Sequence, residues 1–410
     1  MSTAAPAPEA PDTVDSTLEA MPNSPREFLR RFTQGEFGSL RVLLILAVIW
    51  VIFTIANDRF LTALNLTNLT LQIAATGMIS IGVVLVLLLG EIDLSVGVVS
   101  GLCAAIMAVL SVKHGWSPVL ALLAGILAGT CIGLFQGFIH TNFGIPSFVV
   151  TLAGLLGWQG AQLWVLGDTG TININDQFIV DLVGTFFSDM VGWIIAVVLI
   201  AVYAALALSG RMQRVKAGLE APAPGVLIFR IVAVAIPVLV TVYVVNQDRG
   251  LPLALVILVS FVIFFDWLTQ RTRFGRHVYA VGGNEEAARR AGINTGRVRI
   301  AVFALASTLA ACGGMLAASR LLAVNQSSGG SDLLLLAIAG PVIAGTSLFG
   351  GRGRVWSALL GALVIGSISN GMDLLALDSD VKYMVTGAVL LAAVVVDAAT
   401  STRRRRAGRV

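Results

Sequence analysis

Long apolar runs separated by short polar joints fill almost the whole chain. Runs long enough to cross a bilayer lie near residues 40–56, 66–89, 92–112, 117–138, 146–166, 190–208, 226–245, 251–269, 298–318, 333–348, 355–370 and 383–396. The pattern predicts roughly twelve membrane helices, several of them short and interrupted by glycine, as broken or re-entrant segments are. One stretch, Phe274 to Asn294, is a polar island. There Asn284 can serve as an N-cap for orphan N–H groups. Glu285 and Glu286 then fall at the positive end of the helix dipole, and Arg289 and Arg290 at the negative end. Gly282 and Gly283 allow a tight entry, and Gly292 suits a left-handed C-terminal cap. The expectation is one short helix with no apolar face of its own, docked on something else; from spacing alone, a well-made loop remains the alternative.

Composition fixes the class. The chain is 57% hydrophobic and 12% charged, with a mean hydropathy of +0.89, which excludes a soluble domain and predicts an all-α polytopic membrane protein. Residues 1–39 are rich in Ala, Pro, Ser and acids, lack apolar periodicity, and are expected to be a disordered tail without a signal-peptide pattern. Residues 398–410 form a basic tail. With the N-terminus inside, the inner segments collect Arg26 to Arg41, Arg211 to Lys216, Arg271 to Arg299, Arg352, Arg354 and Arg403 to Arg409. The outer ones hold Arg59, Lys113, Arg249, Arg320 and Lys382. This bias predicts that both termini and the polar island are cytoplasmic. Cys103, Cys131 and Cys312 have no metal or pairing pattern and read as packing residues.

Polar residues inside apolar runs carry the remaining information. Gly90-Glu91-Ile92-Asp93-Leu94-Ser95-Val96-Gly97 breaks what would be one run from Leu66 to Val112. Asp93 is placed to cap a helix opening at Leu94, with Ser95 in its first turn. Two readings stand, a corner facing a pore and a tight cytoplasmic turn, and no basic partner for the acids is evident in neighbouring runs. Ser147, Thr151 and Gly154 share a helical face, which suits either a sugar path or a contact of small residues. Gln136, Gln159 and Asn370 are further candidates for the path; Trp158 and Trp164 read as packing or interfacial aromatics. His114, His140 and His277 look isolated. Gly90 and Gly101 find a weak echo in Gly350 and Gly361. No phosphate loop, metal-binding helix or nucleophile elbow occurs, so neither catalytic nor metal residues are expected.

Four motifs in order then add to this reading. They are Gly90 to Gly97, Ile145 to Gly154, Phe274 to Asn284, and Gly345-Thr346-Ser347-Leu348-Phe349-Gly350-Gly351. Together they resemble the permease subunit of ribose/xylose-type ABC sugar importers, over residues 40–397. An extra helix pair, residues 190–248, is similar to an insertion in xylose-type members.

The resemblance implies an ABC importer permease fold and a pore formed with a second permease copy, expected to be a homodimer. It also implies an extracytoplasmic sugar-binding protein and a cytoplasmic ABC ATPase, which uses ATP and Mg while this chain binds no cofactor. Residues 270–297 would be the coupling loop, with Gly282, Gly283, Asn284, Glu285, Ala287, Ala288, Arg289 and Gly292 contacting the ATPase. Glu91, Asp93, Ser95, Ser147, Thr151, Gln159 and Asn370 are the candidates for the translocation path. The implied location is a bacterial inner or plasma membrane, with the lipid bilayer and no nucleic acid as surroundings. The sequence departs from the family where Leu334-Leu335-Leu336-Ala337 replaces an acidic pair, Asp332 being the nearest acid, and where Pro341 interrupts the run. The chief rival is a gradient-driven carrier using Glu91, Asp93, Asp266 or Asp373. A membrane-embedded transferase and a receptor without transport are weaker alternatives.

Overall fold

In a bilayer a backbone with no water nearby must satisfy itself, and the helix does so within one segment. The computed structural model describes residues 38–219, 221 and 223–406, and every predicted run contains a helix. In order these are α1 (Gly38–Ala56), α2 (Ala63–Leu88), α3 (Val96–Ala108), α4 (Pro118–Phe143), α5 (Ser147–Leu166), α7 (Asp189–Lys216), α8 (Pro224–Asn246), α9 (Leu253–Arg271), α12 (Thr295–Leu321), α13 (Ser331–Ile343), α14 (Trp356–Leu374) and α15 (Ser379–Arg406). Three short helices lie between them: α6 (Gln177–Gly184), α10 (Arg273–Gly283) and α11 (Glu285–Arg290). Among the described residues nine helices are long and apolar enough to cross a membrane, α3 being counted with its π-helical extension Val109–Lys113. The fold is that of an all-α multi-pass membrane protein. The expected disorder of residues 1–39 falls almost wholly outside the described residues, while α15 carries the basic tail on as helix to Arg406.

The long helix α12 is the axis, and α2, α3 and α4 pack against it. At 27 residues it is about 40 Å long. Small residues let its backbone come close to its neighbours: a Cβ on Gly133 would stand 2.3 Å from the Phe303 carbonyl oxygen, and one on Gly314 would stand 2.0 Å from that of Ser100. Such contact replaces the hydrophobic driving force that lipid cannot supply. By contrast, only Gly192 and Ala196 of α7 are buried. The connection over residues 167–188 carries regular structure. Its β1 (Thr171–Asn173) pairs antiparallel with β4 (Ala323–Asn325), and β2 (Phe186–Phe187) with β3 (Leu251–Pro252). Cys103 is buried and Cys312 partly so, as packing requires, but Cys131 is exposed.

Three sequence expectations need correction. The polar island is two helices, because Asn284 leaves the helical region (φ −159°, ψ 101°) and starts α11 afresh. The run expected over 333–348 stops helically at Ile343, and residues 344–355 form an irregular loop apart from turns. The run expected from 92 becomes α-helical only at Val96.

At the α11 end of the bundle three chain reversals meet. Gly351 N–H donates to the Leu88 carbonyl at 2.9 Å. A Cβ on Gly282 would lie 1.8 Å from that same oxygen, and one on Gly350 would lie 2.8 Å from Gly90 N. Gly90, Gly350 and Gly351 all have positive φ (78°, 81° and 68°), which only glycine adopts without strain. The junction predicts a contrast between adjacent glycines. Gly282→Ala should cost roughly 1–3 kcal/mol, whereas Gly283→Ala, whose Cβ meets nothing within 4 Å, should stay within about 1 kcal/mol of wild type. Unfolding of the two variants in detergent checks this, and equal stabilities would refute the close approach.

Candidate translocation and coupling site

Between α2 and α3 the chain is irregular rather than helical while it enters the bundle. Side chains from the facing helices take up its backbone groups. Ile92 N–H donates to Ser147 Oγ at 3.3 Å and Leu94 N–H to Thr151 Oγ1 at 3.1 Å. Asp93 does not cap Leu94 as expected. Its Oδ1 accepts from Ser95 N–H at 2.8 Å and from Ser95 Oγ–H at 2.7 Å, which turns the chain into α3 at Val96. Gln136 Nε2 donates to Ser95 Oγ at 3.0 Å. Ser147, Thr151, Asp93, Ser95 and Gln136 are all buried, so one polar cluster gathers residues from α4, α5 and the break. Gly154 faces it too, since its Cβ would lie 2.2 Å from Gln136 Nε2. Asp93 also lines a cavity of about 160 Å³ with Val86, Leu87, Ile338 and Leu348, and its Oδ2 has no hydrogen-bond partner.

Glu91 has partners that the sequence did not reveal. His140 Nε2 lies 3.1 Å from its Oε1, and Arg299 Nε lies 3.2 Å from the same oxygen. The Arg299 contact is an ion pair off the line of a hydrogen bond. His140 is therefore no isolated histidine: its other nitrogen, Nδ1, sits 2.6 Å from the Ile145 carbonyl, tying α4 to the start of α5. Nothing in the spacing of residues 91, 140 and 299 could have shown this, because packing on α12 brings them together.

Arg299 also reaches the polar island. Its Nη1 and Nη2 donate to Glu285 Oε1 and Oε2 at 2.8 and 2.7 Å, the two-pronged geometry that favours arginine over lysine. Burial alone would raise the Glu285 carboxyl, but Arg299 and then Arg289 outweigh it and hold it below the ordinary glutamate value. The caps fall as the sequence predicted: Asn284 Oδ1 accepts from Ala287 N–H at 2.9 Å, and Gly292 is left-handed (φ 82°). The island does have an apolar contact, however, because Ala288 is buried in the main core. Glu285 faces inward at 33% exposure, while Arg289 at 62%, Glu286 at 63% and Arg290 at 79% face out.

The remaining candidates lie elsewhere. Asn370 is buried and exchanges hydrogen bonds with Asn65 at 2.8 and 3.0 Å, joining α14 to α2. Gln159 and Trp164 are exposed on the outer face of α5. Gln162 turns inward instead, donating to the Asn325 and Ser328 carbonyls at 3.1 and 2.9 Å.

Removing an acceptor from the break should be costly. Thr151→Val leaves the Leu94 N–H without its partner and should cost about 1–3 kcal/mol. Arg299→Met should cost roughly 1.5–3 kcal/mol. In a double-mutant cycle with Glu285→Gln the two losses should fall well short of additive. Denaturant unfolding of the detergent-solubilised variants measures both, and strict additivity would mean that the pair contributes nothing.

Comparison with known proteins agrees with this architecture. The family described as branched-chain amino acid transport system / permease component matches residues 65–394. The xylose transport system permease protein of Escherichia coli K12 is 36% identical over 380 residues, covering 90% of this chain and 96% of that protein. The corresponding protein of Haemophilus influenzae is 35% identical over 365 residues, covering 89% and 96%. The ribose import permease protein of Bacillus subtilis is 31% identical over 363 residues, covering 88% and 94%. No solved structure gives a significant match. With the match running through α2 to α14 and into α15, and with its relatives covered almost end to end, the chain belongs to this permease family, among the ribose- and xylose-type ABC sugar permeases.

Proposed function

We propose that the chain is the membrane subunit of an ATP-driven importer for xylose or a similar monosaccharide. In this reading an ATPase docks on α11 from the cytoplasm and a binding protein delivers sugar to the opposite face. A second copy of the chain completes the path, and both termini are cytoplasmic in a bacterial inner membrane.

The observation that carries the reading is how α11 is attached. It is six residues long, stands at the end of the bundle, and among the described residues its outer charges pair only within the helix itself. Its inner charge, Glu285, is held by Arg299, which also contacts Glu91 at the break. The glycine junction adds a second rigid connection from α10 to that corner. A push on α11 would therefore be felt at Glu91 and Asp93, where the helix is already broken. Closure of ATPase subunits against this helix is a suitable drive for alternating access. Positive residues on the inner segments support the orientation.

A gradient-driven carrier would instead need a free membrane carboxylate. Glu91 is ion-paired, and Asp373 is exposed and bonded to Lys382 at 2.6 Å. Asp93 and Asp266, each with one buried unpartnered oxygen, are the groups on which that alternative would rest.

The docking test should spare Glu285, whose partner is internal. The outward pair is the one to reverse: Glu286→Arg with Arg290→Glu should abolish co-purification with the co-expressed ATPase and stop sugar-stimulated ATP hydrolysis. The permease itself should stay folded, because this exposed i,i+4 pair contributes only about 0.3–0.5 kcal/mol. Vesicles holding the permease alone should take up no xylose on a proton gradient. Uptake there, lost in Asp93→Asn or Asp266→Asn, would replace the importer reading with the carrier.

A further inference from the structure

Helices α7, α8 and α9 are joined at one end and splayed at the other. Away from α11, Ala196, Val242, Val245, Leu251 and Leu255 form a small core of their own, and Gly192 packs on Asn246 and Leu251. Towards the end where α7 stops and α8 begins, the three helices part around a cavity of about 1200 Å³. The α7 wall is apolar from Ile194 to Leu206 except for Tyr203. Val198, Val202 and Leu206 on that wall are exposed, as is Ile263 of α9, so the wedge opens sideways to whatever surrounds the bundle.

Its charge is confined to one end. Arg214 of α7, Arg230 of α8 and Arg271 of α9 line it there, beside Arg211, which already has a partner; among the described residues Asp266 is the one carboxylate on the wall. Arg230 is the informative member. It lies six residues inside α8, about 9 Å along the axis, in an apolar helix where a cation is costly without a counter-charge. Its Nε is buried and has no hydrogen-bond partner, and among the described residues it makes no ion pair. A guanidinium held in this way needs an acceptor that the described residues do not supply.

We propose that this wedge is a binding site for an anionic phospholipid of the leaflet on the α11 side. The phosphate would lie among Arg214, Arg230 and Arg271, and the acyl chains would run along α7 towards the closed end. Both halves of the site point to lipid: the apolar length has no use for a free anion, and the arginine cluster has no use for a neutral lipid. Basic pockets between membrane helices are suited to such head groups. The lipid would also fill the gap that leaves α7 and α8 attached mainly at one end. The site depends on the membrane placement of the helices, and it stands whether or not the importer reading does.

The experiment uses the full-length permease purified in detergent, without ATPase or sugar, and counts bound lipid by native mass spectrometry. Wild type should retain phosphatidylglycerol in preference to phosphatidylethanolamine, and millimolar inorganic phosphate should not displace it. Arg230→Gln and Arg271→Gln should each lower phosphatidylglycerol affinity roughly fivefold. Added phosphatidylglycerol should also raise the unfolding temperature of wild type more than that of Arg230→Gln. Should an arginine variant fail to fold, Val202→Trp keeps every charge and fills the wedge, and it should lower retention in the same way. Equal retention of the two lipids, displacement by phosphate, or wild-type retention by the folded variants would overturn the proposal.

Discussion

Backbone inside an apolar bundle finds no water, so each N–H and C=O that leaves a helix must meet another group. The break between α2 and α3 is where this constraint is strictest. Ser147, Thr151 and Gln136 are buried where they are because Ile92, Leu94 and Ser95 need their oxygens and nitrogens. The hydroxyls that read as either a sugar path or a contact face are, structurally, partners of this irregular segment. Their burial also explains the residue types, since alanine or valine at 147 or 151 would leave a donor unpaired at membrane depth.

Rigidity around the break has two sources of different kind. One is steric: Gly282, Gly90, Gly350 and Gly351 bring three chain reversals to backbone contact, where side chains have no room. The other is electrostatic: Arg299 is shared by Glu91 and Glu285, with His140 on the far side of Glu91. The steric contact fixes distance and the charges fix orientation. Between them α11 cannot easily move without carrying the α2–α3 corner, which is the mechanical link the proposed coupling would use.

The opposite design holds at α7 and α8. Where α12 is surrounded by helices packed through small residues, α7 touches its neighbours near one end and presents apolar surface over most of its length. A bilayer tolerates such a pair because lipid chains match it as well as protein does. Charges at its α11 end, and Arg230 above all, mark the part of the pair that lipid tails alone do not satisfy.

By itself the sequence determined the class, the positions of the twelve helices, the break at Gly90 to Gly97 and the caps of α11. All of these are local: hydrophobic length sets a span, and Asn284 caps the first turn beside it. The motif series around residues 90, 147, 282 and 346 carried the family as well. Tertiary structure alone decided who meets whom. Glu91 finds His140 and Arg299 across 49 and 208 positions of chain (140 − 91 and 299 − 91). Glu285 turns inward where a helical wheel of six residues could not tell in from out. Gln162 rather than Gln159 faces the bundle. The physical reason is the same in each case: hydropathy records whether a residue can leave water, whereas the partner of a buried charge or hydroxyl is chosen by how whole helices pack, and α12 makes that choice here.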